Sequence, residues 1–305
     1  MSRSASHPCA NPPAPPPAPL LAIVVTADDF GIGVRTSAGI IEAHRRGPVT
    51  ATSVIVITGR HVEESIPLLH EAQELDVGLH VALTRCGHRP LVARSASGLL
   101  DRQGNFLSNG RLWLAAFSGR IEQVAVEEEI AAQAELFGKL LGRRPTHVDA
   151  HHHAHQLPCV RDALIAVIER GLLPAVTRTT VRPPTMPLSA AGAKARRCAA
   201  HWIGNRAAKI FAQHQIRSND YFFGMLGPRD LRRDFPWQNY LQHLPPSGVV
   251  EWVVHPGFDD ETLAGRDVYR AGRAKELQSL TQPQTAAAWE PLRRYLSRKS
   301  VLYPQ

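Results

Sequence analysis

The chain has few of the residues that build cross-linked or membrane-spanning proteins. Its 305 residues include four cysteines, Cys9, Cys86, Cys159 and Cys198, and no Cys-x-x-Cys pair. A chain of this size does not need a disulfide framework, so we expect reduced thiols and a cytoplasmic protein. No apolar run reaches the roughly 18 residues that cross a bilayer. Residues 8–19 are rich in proline and lack the apolar core of a signal peptide.

Motifs of several common enzyme classes are also missing. Gly31 and Gly33 are not followed by the third glycine of a dinucleotide-binding fingerprint, and there is no Walker-type loop. No Gly-x-Ser-x-Gly nucleophile elbow occurs. The net charge of +8 comes from arginines spread along the chain, so we expect no nucleic-acid partner, while peripheral association with an anionic membrane surface stays open. The oligomeric state is not fixed by these features, and a homodimer is left open.

After a leader over 1–20, expected to be disordered and proline-rich, predicted strands alternate with predicted helices in one domain over 21–305. Such alternation is typical of parallel strands joined by helical crossovers. Seven or eight units predict an α/β fold of the TIM-like (β/α) barrel type, with a distorted seven-stranded form included. A doubly wound open sheet is the alternative. The predicted strands cover 21–27, 51–57, 76–81, 145–150, 173–178, 220–224, 248–254 and 299–303. The predicted helices cover 34–46, 61–74, 121–141, 158–170, 193–212, 228–243, 271–281 and 285–297, and 85–110 is expected to be a loop.

Two adjacent carboxylates, Asp28 and Asp29, follow the apolar run over 21–27. They repel one another, and burying them together is costly unless a cation or a shared proton compensates. One alternative is structural, with one aspartate capping the next helix. The other is a functional pair at the exit of a strand.

Polar clusters stand at the ends of three further predicted strands. They are Gly78–His80, the run from Asp149 to His155, and the run from Glu251 to Gly257. In parallel α/β folds the active site forms at the carboxyl ends of the strands. We therefore expect these distant segments to meet Asp28 and Asp29 in one cleft.

The histidine run over 151–155 is the strongest single indication of a metal. In an extended conformation His151, His153 and His155 would share one face with Asp149. Imidazoles together with a carboxylate suit borderline divalent metals, although a polar loop without a metal is the alternative. His80 and His255 are each consistent with a structural histidine, and only convergence at the same edge favours a ligand or a proton donor.

With these residues in view, the chain resembles the YdjC family (ChbG/HpnK type) of carbohydrate deacetylases. The resemblance covers about 21–281 and rests on motifs that occur in the family's order. They are Thr26–Gly31, Gly47–Ser53, Val77–Thr84, Pro145–His155, Arg178 after a strand, and Glu251–Gly257.

The resemblance implies a TIM-like hydrolase that uses one divalent metal, Mg²⁺ or Zn²⁺, to remove acetyl groups from N-acetylated sugars. It implies Asp29, His80 and His151 as metal ligands and Asp28 as the general base. His255 is similar to the general acid of related polysaccharide deacetylases. It also implies three residues that bind the substrate, namely His153, His155 and Arg178. The two histidines are alternative candidates for the general acid.

Two other functions stay open at this stage. The first is a metal-dependent hydrolase of another bond, such as a phosphoester or a non-sugar amide. The second is a non-catalytic carbohydrate-binding barrel, which the presence of Asp28 disfavours. The sequence does not distinguish an acetylated oligosaccharide from an acetylated glycolipid as the substrate.

Overall fold

The computed structural model of the protein describes residues 21–85, 88–92, 94, 97–181, 191–224 (191–197 as backbone), 241–264, 267 and 269–304. Six parallel strands form one sheet in the order β4-β3-β2-β1-β6-β5, and the sheet curls into a half-barrel. The strands are β1 (Ala22–Phe30), β2 (Ala51–Val54), β3 (Asp76–Val81), β4 (Val148–Ala150), β5 (Tyr221–Phe223) and β6 (Val249–Val254).

Nine α-helices are present among the described residues, together with four 3₁₀ segments. The helices are α1 (Val34–Arg46), α2 (Arg60–Ser65), α3 (Asn109–Phe117), α4 (Gln123–Leu141), α5 (Pro158–Glu169), α6 (Ala191–Gln213), α7 (Arg270–Thr281), α8 (Pro283–Trp289) and α9 (Lys299–Leu302). The 3₁₀ segments are Ile66–Glu71, His151–Gln156, Glu261–Leu263 and Glu290–Tyr295. None of the helices in the described ranges is long and apolar enough to cross a membrane.

The α/β class with parallel strands is confirmed, whereas the regular seventh strand expected over 173–178 is not. Val176 makes only isolated bridge contacts, accepting a hydrogen bond from the Val148 N–H (2.9 Å) and pairing with Arg217. Three residues later a side chain takes the place of a neighbouring strand. The Asn219 side-chain amide accepts from the N–H of Thr179 (2.7 Å) and donates to its C=O (2.8 Å). Pro174 also removes a backbone donor at the start of this segment.

The strand expected over 299–303 is wrong, since these residues begin with the short helix α9. Before it, Ser297 N–H donates to the Ile23 carbonyl (2.8 Å). Within α9, the Ser300 backbone N–H and hydroxyl both donate to Asp76 (2.7 and 2.6 Å). Ile23 and Asp76 lie at the amino ends of β1 and β3. The C-terminal segment therefore contacts the amino ends of these two strands, opposite the carboxyl edge of the sheet.

Several helix predictions differ in detail from the structure. Among its described residues, the expected loop over 85–110 contains a bridge between Leu100 and Phe106 and the first two residues of α3, a helix that was not predicted. The expected helices over 61–74 and 285–297 each consist of an α-helix followed by a 3₁₀ segment. The leader over 1–20 and most of the helix expected over 228–243 lie outside the described residues.

Gly39 on α1 allows the helix to touch the chain that follows β6. A Cβ at this position would lie 2.5 Å from the Gly257 Cα and 2.6 Å from the Phe258 nitrogen. Real Cβ atoms do not approach backbone so closely, so a larger residue must push the helix and this loop apart. Because the loop begins directly after His255, the contact helps to fix one wall of the carboxyl edge.

Helix α7 brings two buried charged residues, Arg273 and Glu276, to the same wall. The Glu276 Oε2 atom accepts hydrogen bonds from the His255 backbone N–H (2.9 Å) and from the Tyr269 hydroxyl (3.2 Å). Burial raises the pKa of Glu276 from 4.5 to about 7, against the opposing effect of these donors and of Arg273. The side chain therefore binds a proton more tightly in the folded protein than in the unfolded chain.

We expect Gly39→Ala to lower the free energy of unfolding by about 1–3 kcal/mol, the usual cost of overpacking. The matched control is Gly138→Ala on α4, where a Cβ would have no atom within 4 Å. This control should raise stability by about 0.5–1 kcal/mol, because alanine favours the helix. Urea unfolding of both variants provides the measurement. Equal effects of the two substitutions would show that the contact with Gly257 carries no constraint.

Glu276 gives a prediction for the dependence of stability on pH. The pKa of Glu276 is higher in the folded protein than in the unfolded chain, so protonation of its side chain stabilises the fold. This stabilisation is complete below pH 4.5 and is lost as the pH rises through about 7. Relative to Glu276→Gln, the wild type should lose up to about 1.4 kcal/mol of unfolding free energy per pH unit in this window. Glutamine keeps an acceptor for the His255 N–H. Parallel stability curves for the two proteins between pH 4.5 and 7 would contradict this prediction.

Candidate metal centre and active site

A break in β1 turns both adjacent carboxylates toward the same region. Consecutive residues of a regular strand point to opposite faces of the sheet. Here Asp29 has a φ of 69°, and the pairing of β1 with β2 shifts register between Ala27 and Phe30. Asp28 and Asp29 are both buried, and the His80 Nε2 atom lies 3.8 Å from one carboxylate and 3.3 Å from the other.

Three side chains from three segments converge on one point. The Asp29 Oδ1 atom lies 3.3 Å from His80 Nε2 and 2.9 Å from His151 Nδ1. All three candidate ligand atoms lie within 4.8 Å of one another. Oδ1 is buried and has no hydrogen-bond partner among the described residues. An unpartnered carboxylate oxygen beside two imidazole nitrogens fits a divalent metal such as zinc.

The outer nitrogen of His80 is held by Asp149. His80 Nδ1 lies 2.5 Å from Asp149 Oδ1, and the Ser53 hydroxyl donates to the other oxygen at 2.8 Å. Metal-binding histidines typically donate their second ring N–H to a carboxylate in this way, which fixes the ring and leaves the other nitrogen free. Asp149 thus holds the ring of His80. The expectation that it shares one face with the histidine run is wrong.

An arginine already pairs with the second group of side chains that could hold a metal ion, which consists of Asp28, His80 and Asp149. Arg178 forms a double hydrogen bond with Asp28 (2.8 and 2.5 Å) and lies 3.2 Å from Asp149. The guanidinium occupies the position between these carboxylates that a cation would take. Only the Asp29 group therefore remains open to a metal among the described residues.

A second arginine holds the other oxygen of Asp29. Arg273 from α7 donates to Asp29 Oδ2 at 2.6 Å and to Asp267 at the same distance. Burial alone would raise the pKa of Asp29, but His151 and Arg273 hold it well below its usual range. Asp29 is therefore ionised, as a metal ligand must be. The sequence places Arg273 in a predicted helix but does not indicate that it reaches β1.

His80 is protonated when only protein groups surround it. Burial disfavours the imidazolium, but Asp28 and Asp149 outweigh this effect and raise the pKa of His80 to about 10. The proton balances the negative charge of the cluster. A bound cation would take over the same electrostatic role at Nε2.

His255 stands at the open side of the cluster. Its Nε2 atom lies 3.9 Å from Asp28 Oδ2, its side chain is 31% exposed, and its ring packs against Tyr269 at 5.3 Å between centroids. Burial lowers the pKa of His255, against the opposing effect of Asp28 and Asp29. Of the groups close to Asp28, it is the one with access to solvent.

The extended conformation expected for 151–155 is wrong. The segment is a 3₁₀ turn in which His152 and His153 have φ values of 57° and 56°. Alternation along the chain is therefore lost, and of the three expected histidines only His151 reaches Asp29. Positive φ values at non-glycine residues are costly and are concentrated at functional sites.

His153 and His155 are not in the group of side chains around Asp29. The ring of His153 contacts Phe222 at 5.2 Å. His155 Nδ1 accepts from the Ala150 N–H (3.0 Å), so its Nε2–H donates to the Arg178 carbonyl (2.8 Å). Burial lowers the pKa of His155 to about 4, which keeps the ring neutral for both bonds. These contacts connect the histidine turn to the arginine that holds Asp28.

His152 is a neighbour of the site that the alternating pattern had excluded. Its ring lies 3.9 Å from that of His151, and its Nδ1 is 2.8 Å from the Thr84 hydroxyl. The residue is exposed. The left-handed backbone of His152 contributes to this placement. Histidine tolerates that conformation better than most residues, but its presence does not predict that it adopts it.

Comparison with other proteins agrees with this geometry. The chain is 32% identical over 294 residues to a carbohydrate deacetylase from Mus musculus, covering 89% of this chain and 91% of the relative. It is 30% identical to a chitooligosaccharide deacetylase from Klebsiella pneumoniae, covering 87% and 93% of the two chains.

A solved structure is similar to the fold. It is described as a putative cellobiose-phosphate cleavage protein from Enterococcus faecalis, with a TM-score of 0.70 and 25% identity. The match covers 92% of this chain and 98% of that one. Residues 22–290 also match the family described as YdjC-like protein. Since the match spans most of the sequence and includes every residue placed at the site above, the chain belongs to the YdjC-like protein family.

Proposed function

We propose that this protein is a metal-dependent deacetylase that removes N-acetyl groups from an acetylated sugar. The observation that carries the proposal is the convergence of Asp29, His80 and His151 beside Asp28 and His255. One group of side chains offers ligands to a cation, and the two neighbours offer a proton acceptor and a proton donor. Metal-dependent hydrolysis of an amide uses all three functions.

The donor set suits Zn²⁺, while Mg²⁺ is the second candidate because it often binds through few protein ligands. Zn²⁺ held by Asp29, His80 and His151 would lower the pKa of a bound water from 15.7 to about 7 and would polarise a carbonyl oxygen. The protein's own contribution is to hold the ligands before the cation arrives. Asp149 fixes the ring of His80, and Arg273 fixes the carboxylate of Asp29.

Asp28 is proposed as the general base. Both of its oxygens accept hydrogen bonds from Arg178, so its carboxylate has a fixed plane. Oδ2 is the oxygen that faces both His80 and His255. It is therefore placed to take a proton from water on the side of the metal ligands.

His255 is proposed as the general acid. Its Nε2 lies close to Asp28 Oδ2, and its partly exposed side chain is accessible to a substrate. A proton on Nε2 would pass to the nitrogen of the departing amine when the C–N bond breaks. The backbone bond from His255 N–H to Glu276 and the contact with Tyr269 hold the residue at the rim.

We assign Arg178 and His155 to positioning in place of the substrate contacts first expected. Arg178 is completely buried between carboxylates, and His155 bonds its carbonyl. These contacts leave little of either side chain available for a sugar. His153 stays a proposed substrate contact, since it is partly exposed and its Nδ1 atom has no hydrogen-bond partner among the described residues. His152, which is exposed beside His151, is a further candidate.

The acetylated sugar is proposed from the relatives, which are named carbohydrate or chitooligosaccharide deacetylases. Whether the substrate is an oligosaccharide or a glycolipid stays open. A TIM-like barrel and a cytoplasmic location also stay predictions, and a homodimer is still left open.

The direct test is release of acetate from N-acetylglucosamine oligosaccharides by purified protein after chelation and reloading with Zn²⁺ or Mg²⁺. We expect no release after chelation and recovery with one of the two metals. Bis-p-nitrophenyl phosphate serves as a control for phosphoester hydrolysis. Release of nitrophenol without acetate would contradict the proposal and favour the phosphoester alternative.

Replacing each aspartate by asparagine should distinguish the role of metal ligand from the role of general base. Asp29→Asn should weaken metal binding by more than about 100-fold, the upper range for groups that only support a ligand. Asp28→Asn should bind the metal normally and lower kcat by about 10²–10⁴-fold, as expected for loss of a general base. Isothermal titration with the metal and acetate release give the two readouts. Normal metal binding by both variants would show that the ligand assignment is wrong.

A further inference from the structure

A buried lysine lies beneath the site and has no part in the chemistry proposed above. Lys299 on α9 is 2% exposed, and its Nζ atom lies 2.7 Å from Glu251 Oε1 on β6. The Thr26 hydroxyl donates to the same oxygen at 2.9 Å. Lys299 follows the last residue, 290, that matches the family. It therefore comes from a part of the chain that the family comparison does not include.

Glu251 connects this lysine to the arginine that holds the proposed base. Arg178 Nη1 lies 3.7 Å from Glu251 Oε1 and 2.8 Å from Asp28 Oδ1. The Arg178 Nε atom is buried and has no hydrogen-bond partner among the described residues. The orientation of the guanidinium is thus set by carboxylates around its two terminal nitrogens, and Glu251 is one of them.

We propose that Lys299 is a positioning residue, which by neutralising Glu251 allows Arg178 to hold Asp28. This role rests on the proposed function, since it concerns the base of that reaction. Without the ammonium group, Glu251 would be a buried carboxylate that has lost its closest cation, a costly state. The nearest remaining cation is Arg178, and a turn of its guanidinium toward Glu251 would weaken the double hydrogen bond to Asp28.

Other contacts hold α9 in place without the ammonium group. Ser300 bonds Asp76 through two donors, and the Tyr303 hydroxyl donates to the Ser218 carbonyl at 3.0 Å. Replacing Lys299 by methionine keeps most of its volume in the same position. The substitution therefore tests the charge more than the packing.

The experiment compares K299M, the double variant E251Q/K299M and the control R298M, using acetate release, metal titration and urea unfolding of the full chain. Arg298 is the neighbouring cation and pairs with Glu74 at the surface. K299M should lower kcat about tenfold, with KM and metal affinity unchanged. The double variant removes the competing carboxylate together with the lysine, so it should recover kcat to within about threefold of wild type. R298M should match wild type.

Three results would overturn the proposal: a kcat for K299M equal to that of R298M, no recovery in the folded double variant, or joint loss of kcat and metal binding. If the wild type releases no acetate, the proposed function fails, and a crystal structure of K299M then decides the inference alone. The guanidinium of Arg178 should move toward Glu251 and away from Asp28. An unmoved guanidinium would contradict the positioning role.

Discussion

The structure depends on buried cations that compensate the negative charge of carboxylates along the inner side of a curled sheet. Four carboxylates lie there, and each has a buried cation in contact. Arg178 pairs with Asp28 and Asp149, Arg273 pairs with Asp29, and Lys299 pairs with Glu251. Unpaired charges in this position would destabilise the fold by several kcal/mol each. These ion pairs therefore allow the sheet to curl around the carboxylates. They also determine which carboxylate oxygen atoms remain free.

The free atoms define the site. Arg178 occupies the space between Asp28 and Asp149, and Arg273 takes one oxygen of Asp29. What is left is the other oxygen of Asp29, facing His80 and His151. The two aspartates are adjacent in sequence but are held by different arginines, which is why one is proposed as a metal ligand and the other as the base.

The sequence was sufficient to predict the elements that bring these residues together. The bounds of α1 and β3 were predicted correctly, and Asp28, Asp29, His80, His151 and His255 meet as the strand-exit argument requires. The exits of parallel strands share an edge, so this part follows from the pattern alone.

The remaining features depend on backbone conformation and long-range contacts, which a pattern does not contain. The positive φ values of Asp29, His152 and His153 occur in residue types that tolerate them, but the residue type does not tell which aspartates and histidines adopt them. They place two consecutive aspartates on one side and break the alternation of the histidines. Arg273 and Lys299 reach the site from elements near the C-terminus, and Lys299 belonged to a segment predicted as a strand.

The central claim is that one divalent cation binds to Asp29, His80 and His151 while Arg178 keeps Asp28 apart. A crystal structure of the zinc-loaded protein, with anomalous diffraction measured at the zinc edge, tests it most directly. The account predicts one strong peak about 2.0–2.2 Å from Asp29 Oδ1, His80 Nε2 and His151 Nδ1. A peak bound instead by Asp28 or Asp149, with Arg178 displaced, would contradict it.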